Sequence, residues 1–554
     1  MSRPTYTGPL LSHDIELDLS RNEGSLASSD LVGSVVDPNE LIRRYPDTTD
    51  LRRRLAEIHG VAEDQVLVTA GGDDALFRCM LSRLGPGKSA VATTPTFEMI
   101  PVYAGQIRSQ LVEIEWWMGP FPTSAVADAA RDASVVFVVS PNNPTGSTIT
   151  SDELRTVSDA AQLVVLDAAY VEYADDDLTA VALDLGNTVV IRTLSKAYGL
   201  AGLRVGYLLG PSDLISEMVS YGSPYAVSSL SAAVALGRLN RPGDLQAVVD
   251  EIRTERAMLA NLLDTLDVHS LPSQGNFVLA NVEDPEWVAG ACGALGVGVR
   301  RFAGRGDLDR WIRITLPGNE REFIRLQRVL TIALSPQAVL FDLDGVLVDV
   351  SGSYRRAIIE TAASFGATVT ERDIEDAKAA GGANDDWELT RRLMADRGAQ
   401  IDRSDVVERF EEIYQGLPGR PGLKFTERPL VDPATWTRWA DTLPLGVVTG
   451  RPRRDAEEVL DRFGLLVDTS VLVTREDAPL KPDPGPVLLA MEQLGVDRAW
   501  FLGDTTDDVE AARAAGAIPI GVVAPGAPTR RTARTLSKAA QILTRTTDLE
   551  ELLP

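Results

Sequence analysis

The chain has 554 residues, with 54 Lys plus Arg against 80 Asp plus Glu and a formal net charge of -26 at pH 7. Single cores rarely grow past about 300 residues, so at least two domains are expected. So large an acid surplus argues against a phosphate backbone as the main ligand, and no apolar run reaches the roughly 18 residues of a membrane-spanning helix. The first stretch, MSRPTYTGPLLSHDIELDLS, meets acidic residues before a signal-peptide core can form, so a cytoplasmic protein is expected. Cys79 and Cys292 are the only cysteines, which excludes a disulfide framework and a cysteine-based zinc site. His13, His59 and His269 lie in unrelated contexts without metal-ligand spacing. Acid and base chemistry must therefore rest mostly on Asp, Glu and Lys.

Strand-like apolar runs alternate with helical stretches: VLVTA (66–70), SAVATT (89–94), VVFVVS (135–140), LVVLDAA (163–169) and TVVIRTL (188–194). Such alternation predicts an α/β fold with a largely parallel sheet. After LSPQ (334–337) the pattern restarts with AVLFDLDG, then continues in LPLGVVTG (443–450), AWFLGD (499–504) and IPIGVV (518–523). The restart predicts one domain over 1–335 and a second over 338–554. Between FDLDG and GVVTG the chain reads as helical, which predicts a helical insertion over roughly 352–430. Neither short repeats nor low-complexity segments occur, so solenoids and disordered scaffolds are excluded.

Four segments of the first domain carry chemistry, each at a strand end, where α/β folds place their sites. TAGGDDAL (69–76) is a Gly-Gly turn opening a helix, whose backbone N–H groups and dipole favour a phosphate. SPNNPTG (140–146) is a turn built from Asn and Pro. LVVLDAAY puts Asp167 at a strand end with Tyr170 three residues on, and TLSKAYGLAGLRVGY (193–207) holds Lys196 with Arg204 eight positions later. A lysine alone would read as a solvated charge; this company argues for a site.

The ordered set RYPD, AGGDD, PTF, SPNNPTG, LDAAY, TLSKAYGLAGLRVGY and RIT resembles the fold-type I aminotransferases that use pyridoxal phosphate, nearest the histidinol-phosphate aminotransferase branch, over about residues 12–333. The resemblance implies a large and a small subdomain. It makes Lys196 the amine that bonds the cofactor aldehyde and then moves a proton, since an amine desolvated near positive charge loses basicity. Asp167 would pair with the pyridinium nitrogen, Asn143 and Tyr170 with the ring oxygen, and Phe97 would stack on the ring. Gly72, Asp73, Thr193, Ser195 and Arg204 would hold the cofactor phosphate. Tyr45 of RYPD would reach that phosphate in a neighbouring subunit, which makes the active unit a dimer. Arg313 in WIRITLPG, with Arg300 thirteen residues earlier, would bind the substrate's anionic end. The family commonly reads Arg-Ile-Thr-Val-Gly-Thr here and Asn-x-Asn-Glu near its N-terminus. This chain has Leu316-Pro317-Gly318 after the RIT and Ser20-Arg21-Asn22-Glu23. Both departures fall where substrate is gripped.

FDLDGVLVD (341–349) places Asp342 and Asp344 at a strand end, followed by GVVTGRP with Thr449, LKPDP with Lys481, and FLGDTTDDVEAARAAG with Asp504 and Asp508. This order resembles the haloacid dehalogenase superfamily, in its phosphatase branch, over about 338–554. The resemblance implies a Rossmann-like core with a helical cap. Asp342 would attack phosphorus, and Asp344 would protonate the leaving alcohol and then activate water. Mg²⁺ would be held by Asp342, the Asp344 backbone carbonyl and Asp504, with Asp508 in support. Thr449 and Lys481 would bind phosphoryl oxygens. The dehalogenases of the superfamily lack the second aspartate, so Asp344 favours phosphoryl transfer. Its histidinol-phosphate phosphatases generally lack such a cap, which argues against simple transfer of that activity.

The fusion suggests consecutive steps: amination of a phosphorylated ketone or aldehyde from a donor such as glutamate, then dephosphorylation of the amine to an amino alcohol. Histidine biosynthesis is the precedent, and a specialised pathway with analogous steps is the other setting. One alternative is decarboxylation of a phosphorylated amino acid, as in the similar threonine-phosphate decarboxylases. Another is a C-terminal domain that binds without turnover.

Overall fold

The computed structural model describes residues 13–25, 30–33, 38–380, 385–527 and 535–553. They form two compact units. Asp18–Pro285 and Val299–Gln327 make the first; Glu286–Gly298, the chain from Arg328 onward and the short segment ending at Leu17 make the second.

The first unit is built on seven strands: β1 (Val66–Thr69), β2 (Ser89–Thr94), β3 (Gln110–Glu115), β4 (Val135–Val139), β5 (Val164–Asp167), β6 (Thr188–Thr193) and β7 (Gly206–Leu209). Their order is β1-β7-β6-β5-β4-β2-β3. β7 runs antiparallel to both neighbours and the other pairings are parallel. All five residues of β4, VVFVV, are buried, as expected of a parallel strand covered on both faces. Val136 and Val138 join one apolar cluster, while Val135, Phe137 and Val139 join another. The period-two alternation of a strand thus feeds two cores, one on each face of the sheet. Every strand expected in this unit is present. β3 and β7 carry weaker sequence signals: QLVEIE is a mostly exposed edge strand, and GYLL is only four residues long.

A smaller antiparallel sheet orders β9-β10-β8, from β8 (Phe277–Asn281), β9 (Arg300–Arg301) and β10 (Trp311–Thr315). Its register sets Arg300 directly opposite Arg313, so the two guanidinium stems leave the same face.

The second unit has six parallel strands: β11 (Ala338–Phe341), β12 (Leu445–Val448), β13 (Val471–Val473), β14 (Ala499–Gly503), β15 (Ile518–Val522) and β16 (Ile542–Leu543). The order β13-β12-β11-β14-β15-β16 reverses direction between β11 and β14. A doubly wound sheet opens a crevice at such a switch point, beyond the strands' carboxyl ends, and Asp342 and Asp504 each follow one of these two strands. Between β11 and β12 lie four helices, α3 (Tyr354–Ser364), α4 (Glu371–Ala380), α5 (Asp386–Ala395) and α6 (Arg403–Gln415). These are the helical cap expected there.

Helix α2 (Pro285–Ala294) precedes this sheet in sequence, yet its chain from Glu286 belongs to the second unit. Trp287 explains why. Its ring meets Trp500 edge-on at 4.6 Å, and the two indole N–H groups donate to the Ala333 and Ile332 carbonyls. Two large aromatics are thereby buried with their donors satisfied.

Helix α1 (Gly71–Arg83) starts directly after β1 and lies against β7. A Cβ on Gly206 would come 2.6 Å from the Gly71 carbonyl carbon and 2.8 Å from Gly72 N. Because the obstacle is backbone, the turn itself would have to move. Gly206→Ala is expected to cost about 1 to 3 kcal/mol of overpacking, read by urea denaturation. It should also displace the Gly71-Gly72 turn, read as weaker phosphate binding at the site that this turn lines.

Candidate active sites

In the first unit one pocket is lined by Gly72, Asp73, Phe97, Asn143, Asp167, Tyr170, Thr193, Ser195, Lys196 and Arg204. Every expected cofactor residue except Tyr45 thus meets in one cleft. Gly71, at φ +84°, leaves room for Arg204, whose Nη2 would lie 2.7 Å from a Cβ at that position. Arg204 donates to Asp73 Oδ2 at 2.9 Å and to Ser195 Oγ at 3.4 Å, and Thr193 Oγ1 donates to Ser195 Oγ at 2.9 Å. With the free N–H groups of the first turn of α1, these donors make a cradle suited to a phosphate dianion.

Asp167, at the end of β5, is buried and accepts from Ala169 N at 3.1 Å. Burial pushes its carboxyl up to about 6, so a cationic ring nitrogen is the kind of partner that suits it. Lys196 Nζ donates to the Asn22 carbonyl at 2.9 Å and stands 5.4 Å from the centre of the Tyr170 ring. Asn143 Oδ1 accepts from Arg313 Nη1 at 2.7 Å, and Arg313 Nη2 donates to the Ser20 carbonyl at 2.9 Å. Arg300 is directed to Glu98, 3.3 Å from both carboxylate oxygens, and Arg305 also pairs with Glu98 at 3.4 Å.

Tyr45 lies elsewhere, 80% exposed and stacked on Tyr225 at 4.7 Å. It is not among the described residues that line the Lys196 pocket.

Three contributors to this site carry no assigned role in the sequence reading. Asn22 is buried, donates to Tyr170 Oη at 3.1 Å and accepts from Thr315 Oγ1 at 2.7 Å. Its φ of 52° is a conformation that Asn tolerates better than most residues. Asn142, fully buried, donates to the Pro95 carbonyl and to Thr145 Oγ1, both at 2.9 Å, and so fixes the turn that presents Asn143. Glu98, next to Phe97, gave no signal, because its arginine partners are some 200 residues away.

In the second unit Asp342, Asp504 and Asp508 bring carboxylate oxygens within 4.8 Å of one another. Gly345, at φ +82°, makes room: a Cβ there would lie 2.4 Å from Asp504 Oδ2. Lys481 Nζ sits between Asp342 Oδ1 at 2.7 Å and Asp508 Oδ1 at 2.5 Å. Asp508 Oδ2 also caps α7 (Thr506–Ala515), accepting from Thr505 N at 3.0 Å and Thr505 Oγ1 at 2.6 Å. Asp508 is thus both a helix cap and a partner of Lys481. Thr449 is buried after β12, and its Oγ1 accepts from Arg451 N at 3.1 Å. Asp344 pairs with Arg451, a residue inside the quoted GVVTGRP motif to which the sequence reading gave no role.

Burial pushes the Asp342 carboxyl well up, with Lys481 opposing and Asp508, Asp504 and Asp344 adding to the rise. Four carboxylates here outnumber Lys481 and Arg451. A hard divalent cation on oxygen ligands fits this donor set and its surplus charge. The pocket that Asp342 and Asp344 line is also lined by Tyr354, Asp386 and Trp387 of the helical insertion and by Arg451 and Arg475. Arg475 lies 4.3 Å from the centre of the Trp387 ring and pairs with Asp385 at 3.1 Å.

Residues 23–326 match the family model for aminotransferase class I and II, more than half of the chain, and the chain belongs to that family. Residues 336–516 match the model for haloacid dehalogenase-like hydrolase. The polypeptide is thus a pyridoxal-phosphate-dependent aminotransferase fused to a hydrolase of the haloacid dehalogenase type. An aromatic amino acid aminotransferase of Corynebacterium jeikeium is 35% identical over 344 residues, 59% of this chain and 91% of that protein. A histidinol-phosphate aminotransferase of Thermococcus kodakarensis is 34% identical over 282 residues, 50% of this chain and 81% of that protein. An imidazoleglycerol-phosphate dehydratase of Phytophthora nicotianae is 44% identical over 197 residues, 34% of this chain, and this chain spans 44% of its length. The crystal structure of histidinol-phosphate aminotransferase from Sinorhizobium meliloti in complex with pyridoxal-5'-phosphate shares the fold, with a TM-score of 0.54 at 23% identity over 58% of this chain and 91% of that one. No helix among the described residues is long and apolar enough to cross a membrane.

Two outcomes follow from these geometries. In the cofactor-free protein the Asp167 carboxyl holds its proton below about pH 6, and that proton must leave before the carboxylate can pair with a ring nitrogen. Pyridoxal phosphate affinity should therefore fall as pH drops below this value, by up to about tenfold per pH unit, in absorbance titrations. Asp167→Asn should bind more weakly and lack that part of the pH dependence. In the second unit, Mg²⁺ at about 100 times its Kd should add roughly 2.7 kcal/mol of stability, read as a rise in Tm, and Asp504→Asn should lose most of the rise.

Proposed function

We propose that the two units catalyse consecutive steps: amination of a phosphorylated ketone or aldehyde by an amino-acid donor such as glutamate, then hydrolysis of the phosphorylated amine to an amino alcohol. The observation that carries this reading is that Arg204 and Arg313 gather at the first pocket, while at the second Lys481 stands in a carboxylate cluster whose surplus charge a divalent cation would offset. Phosphorylated anions are the ligands such pockets suit. Kinship with a histidinol-phosphate aminotransferase supports the first step, although kinship with an aromatic amino acid aminotransferase shows that the family spans other substrates.

The first reaction is assigned to residues 1–335. Bound pyridoxal phosphate supplies an aldehyde and an electron-withdrawing ring. Lys196 binds and releases the aldehyde and carries a proton on Nζ. Asp167 would pair with the ring nitrogen, Asn143 and Tyr170 with the ring oxygen, and Phe97 would cover the ring. Gly72, Asp73, Thr193, Ser195 and Arg204 would hold the phosphate, joined by Tyr45 from a second copy in a homodimer. Arg313 takes the substrate's anionic end. Arg300 plays the lesser part, because it is directed to Glu98, which it shares with Arg305.

The second reaction is assigned to residues 338–554, with the cap over roughly 352–430. Asp342 attacks phosphorus, Asp344 gives a proton to the departing oxygen and later takes one from water, and Thr449 and Lys481 hold phosphoryl oxygens. Mg²⁺ would be held by Asp342, Asp504 and the Asp344 carbonyl, with Asp508 in support, and would offset the charge of the carboxylates and the phosphate. The helices over the pocket would shield it from bulk solvent while the one reacting water is held at Asp344. Two buried, unpaired cysteines suit a reducing compartment such as the cytoplasm.

The test uses the full-length Asp342→Asn variant with glutamate and a panel of phosphorylated carbonyls, products being identified by mass. A phosphorylated amine should accumulate where the wild type yields the amino alcohol and free phosphate. Lys196→Ala should lose the absorbance of the lysine-bound cofactor yet keep phosphate release. Release of CO₂ without keto-acid formation would replace the amination step with decarboxylation, and undiminished phosphate release by Asp342→Asn would remove the second step.

A further inference from the structure

Arg451 follows Thr449 by two residues beyond β12 and is 2% exposed. A guanidinium stays charged in a protein, so burying one is costly unless its donors are met. Nε donates to Asp344 Oδ1 at 2.8 Å, and Nη2 lies 2.6 Å from the same oxygen. Nη2 also donates to Glu427 Oε1 at 3.0 Å, and Nη1 donates to Tyr414 Oη at 3.0 Å. The Tyr354 ring lies against the guanidinium, its centre 4.7 Å away.

The partners come from particular places. Tyr354 and Tyr414 belong to the cap helices α3 and α6. Ser353 stands where the chain enters the cap and Glu427 where it returns. Ser353 Oγ and Tyr414 Oη both donate to Glu427 Oε1 at 3.0 Å, and Arg462 Nη2 donates to Glu427 Oε2 at 2.7 Å. One buried network thus joins both cap connections to a single side chain beside Asp342, that of Asp344.

Two other roles for Arg451 fit less well. A structural ion pair would be complete with Glu427 alone, yet a fork of Nε and Nη2 is spent on Asp344. Arg451 lines the pocket, but a phosphate-binding role fits less well, because four of its five N–H donors are spent on Asp344, Glu427 and Tyr414.

We propose that Arg451 is a positioning residue: it fixes the Asp344 side chain in the orientation from which a proton passes to the departing oxygen, and Glu427 with Tyr414 ties that orientation to the cap. This rests on the phosphoryl-transfer reading of the second unit. In the step concerned, an Asp342 oxygen–phosphorus bond forms, the phosphorus–alcohol oxygen bond breaks, and the Asp344 proton moves to the alcohol oxygen.

The experiment compares kcat/KM for p-nitrophenyl phosphate and phenyl phosphate, with Mg²⁺, on the full chain. kcat/KM covers steps through alcohol departure, and p-nitrophenolate leaves with much less need of a proton than phenolate. Arg451→Met should lose about tenfold more on phenyl phosphate than on p-nitrophenyl phosphate, a fraction of what general acid catalysis commonly contributes. Tyr414→Phe and Glu427→Gln should lose in the same direction by less, and they decide the matter if Arg451→Met does not fold. Equal losses on both esters in the folded variants would overturn the proposal and leave the phosphatase reading standing. A wild type without turnover above an Asp342→Asn control would remove that reading, and this proposal with it.

Discussion

A carboxylate taken out of water must be met by a cation or by several donors, at a cost of several kcal/mol otherwise, and both sites are organised around that constraint. Lys481 bridges Asp342 and Asp508, and Arg451 holds Asp344 while answering to Glu427. Burial would lower the Lys481 ammonium, but the two carboxylates raise it further, so it stays a cation. Asp167 is the informative contrast. It is as buried as Asp342, with one backbone hydrogen bond and a carboxyl raised to about 6. Its partner is of a kind that the polypeptide does not supply, which is how a buried acid suits a cationic cofactor ring.

The strands decide where these charges can be placed. In the second unit the sheet changes winding direction between β11 and β14, so Asp342 and Asp504 emerge into one crevice from adjacent strands. Gly345 then lets Asp504 approach the loop that carries Asp342. In the first unit Gly206 and Gly71 allow the β1–α1 turn and Arg204 to close on each other. The smaller sheet supplies Arg313 from a distant part of the chain, and Asn143 and the Ser20 carbonyl hold it. The departure from the family's N-terminal motif thus lies against Arg313, the arginine proposed to take the substrate's anionic end.

The chain's acidity and its ligands point in opposite directions. Most of the -26 is solvated surface, whereas the first pocket concentrates Lys196 and Arg204, and the second sets Lys481 and Arg451 against four carboxylates, a surplus that a divalent cation would offset. Local fields at this range override net charge, because screening removes the distant charges within about 10 Å.

The sequence by itself determined the repeated α/β alternation, the place of the helical cap, and the set of motif residues that share a pocket. Those signals are local: apolar runs, Gly turns and residues at strand ends. It did not reveal Asn22, Asn142, Glu98 or the part of Arg451, since each acts through partners tens to hundreds of residues away. Nor did it separate α2 from the domain in which its sequence lies; Trp287 and Trp500 did that by burying against each other. Only the tertiary structure decided that Arg300 shares Glu98 with Arg305, that Asp508 pairs with Lys481, and that Asp344 is tethered to the cap. Such pairings depend on which side chains meet in space, and a linear pattern carries no such distances.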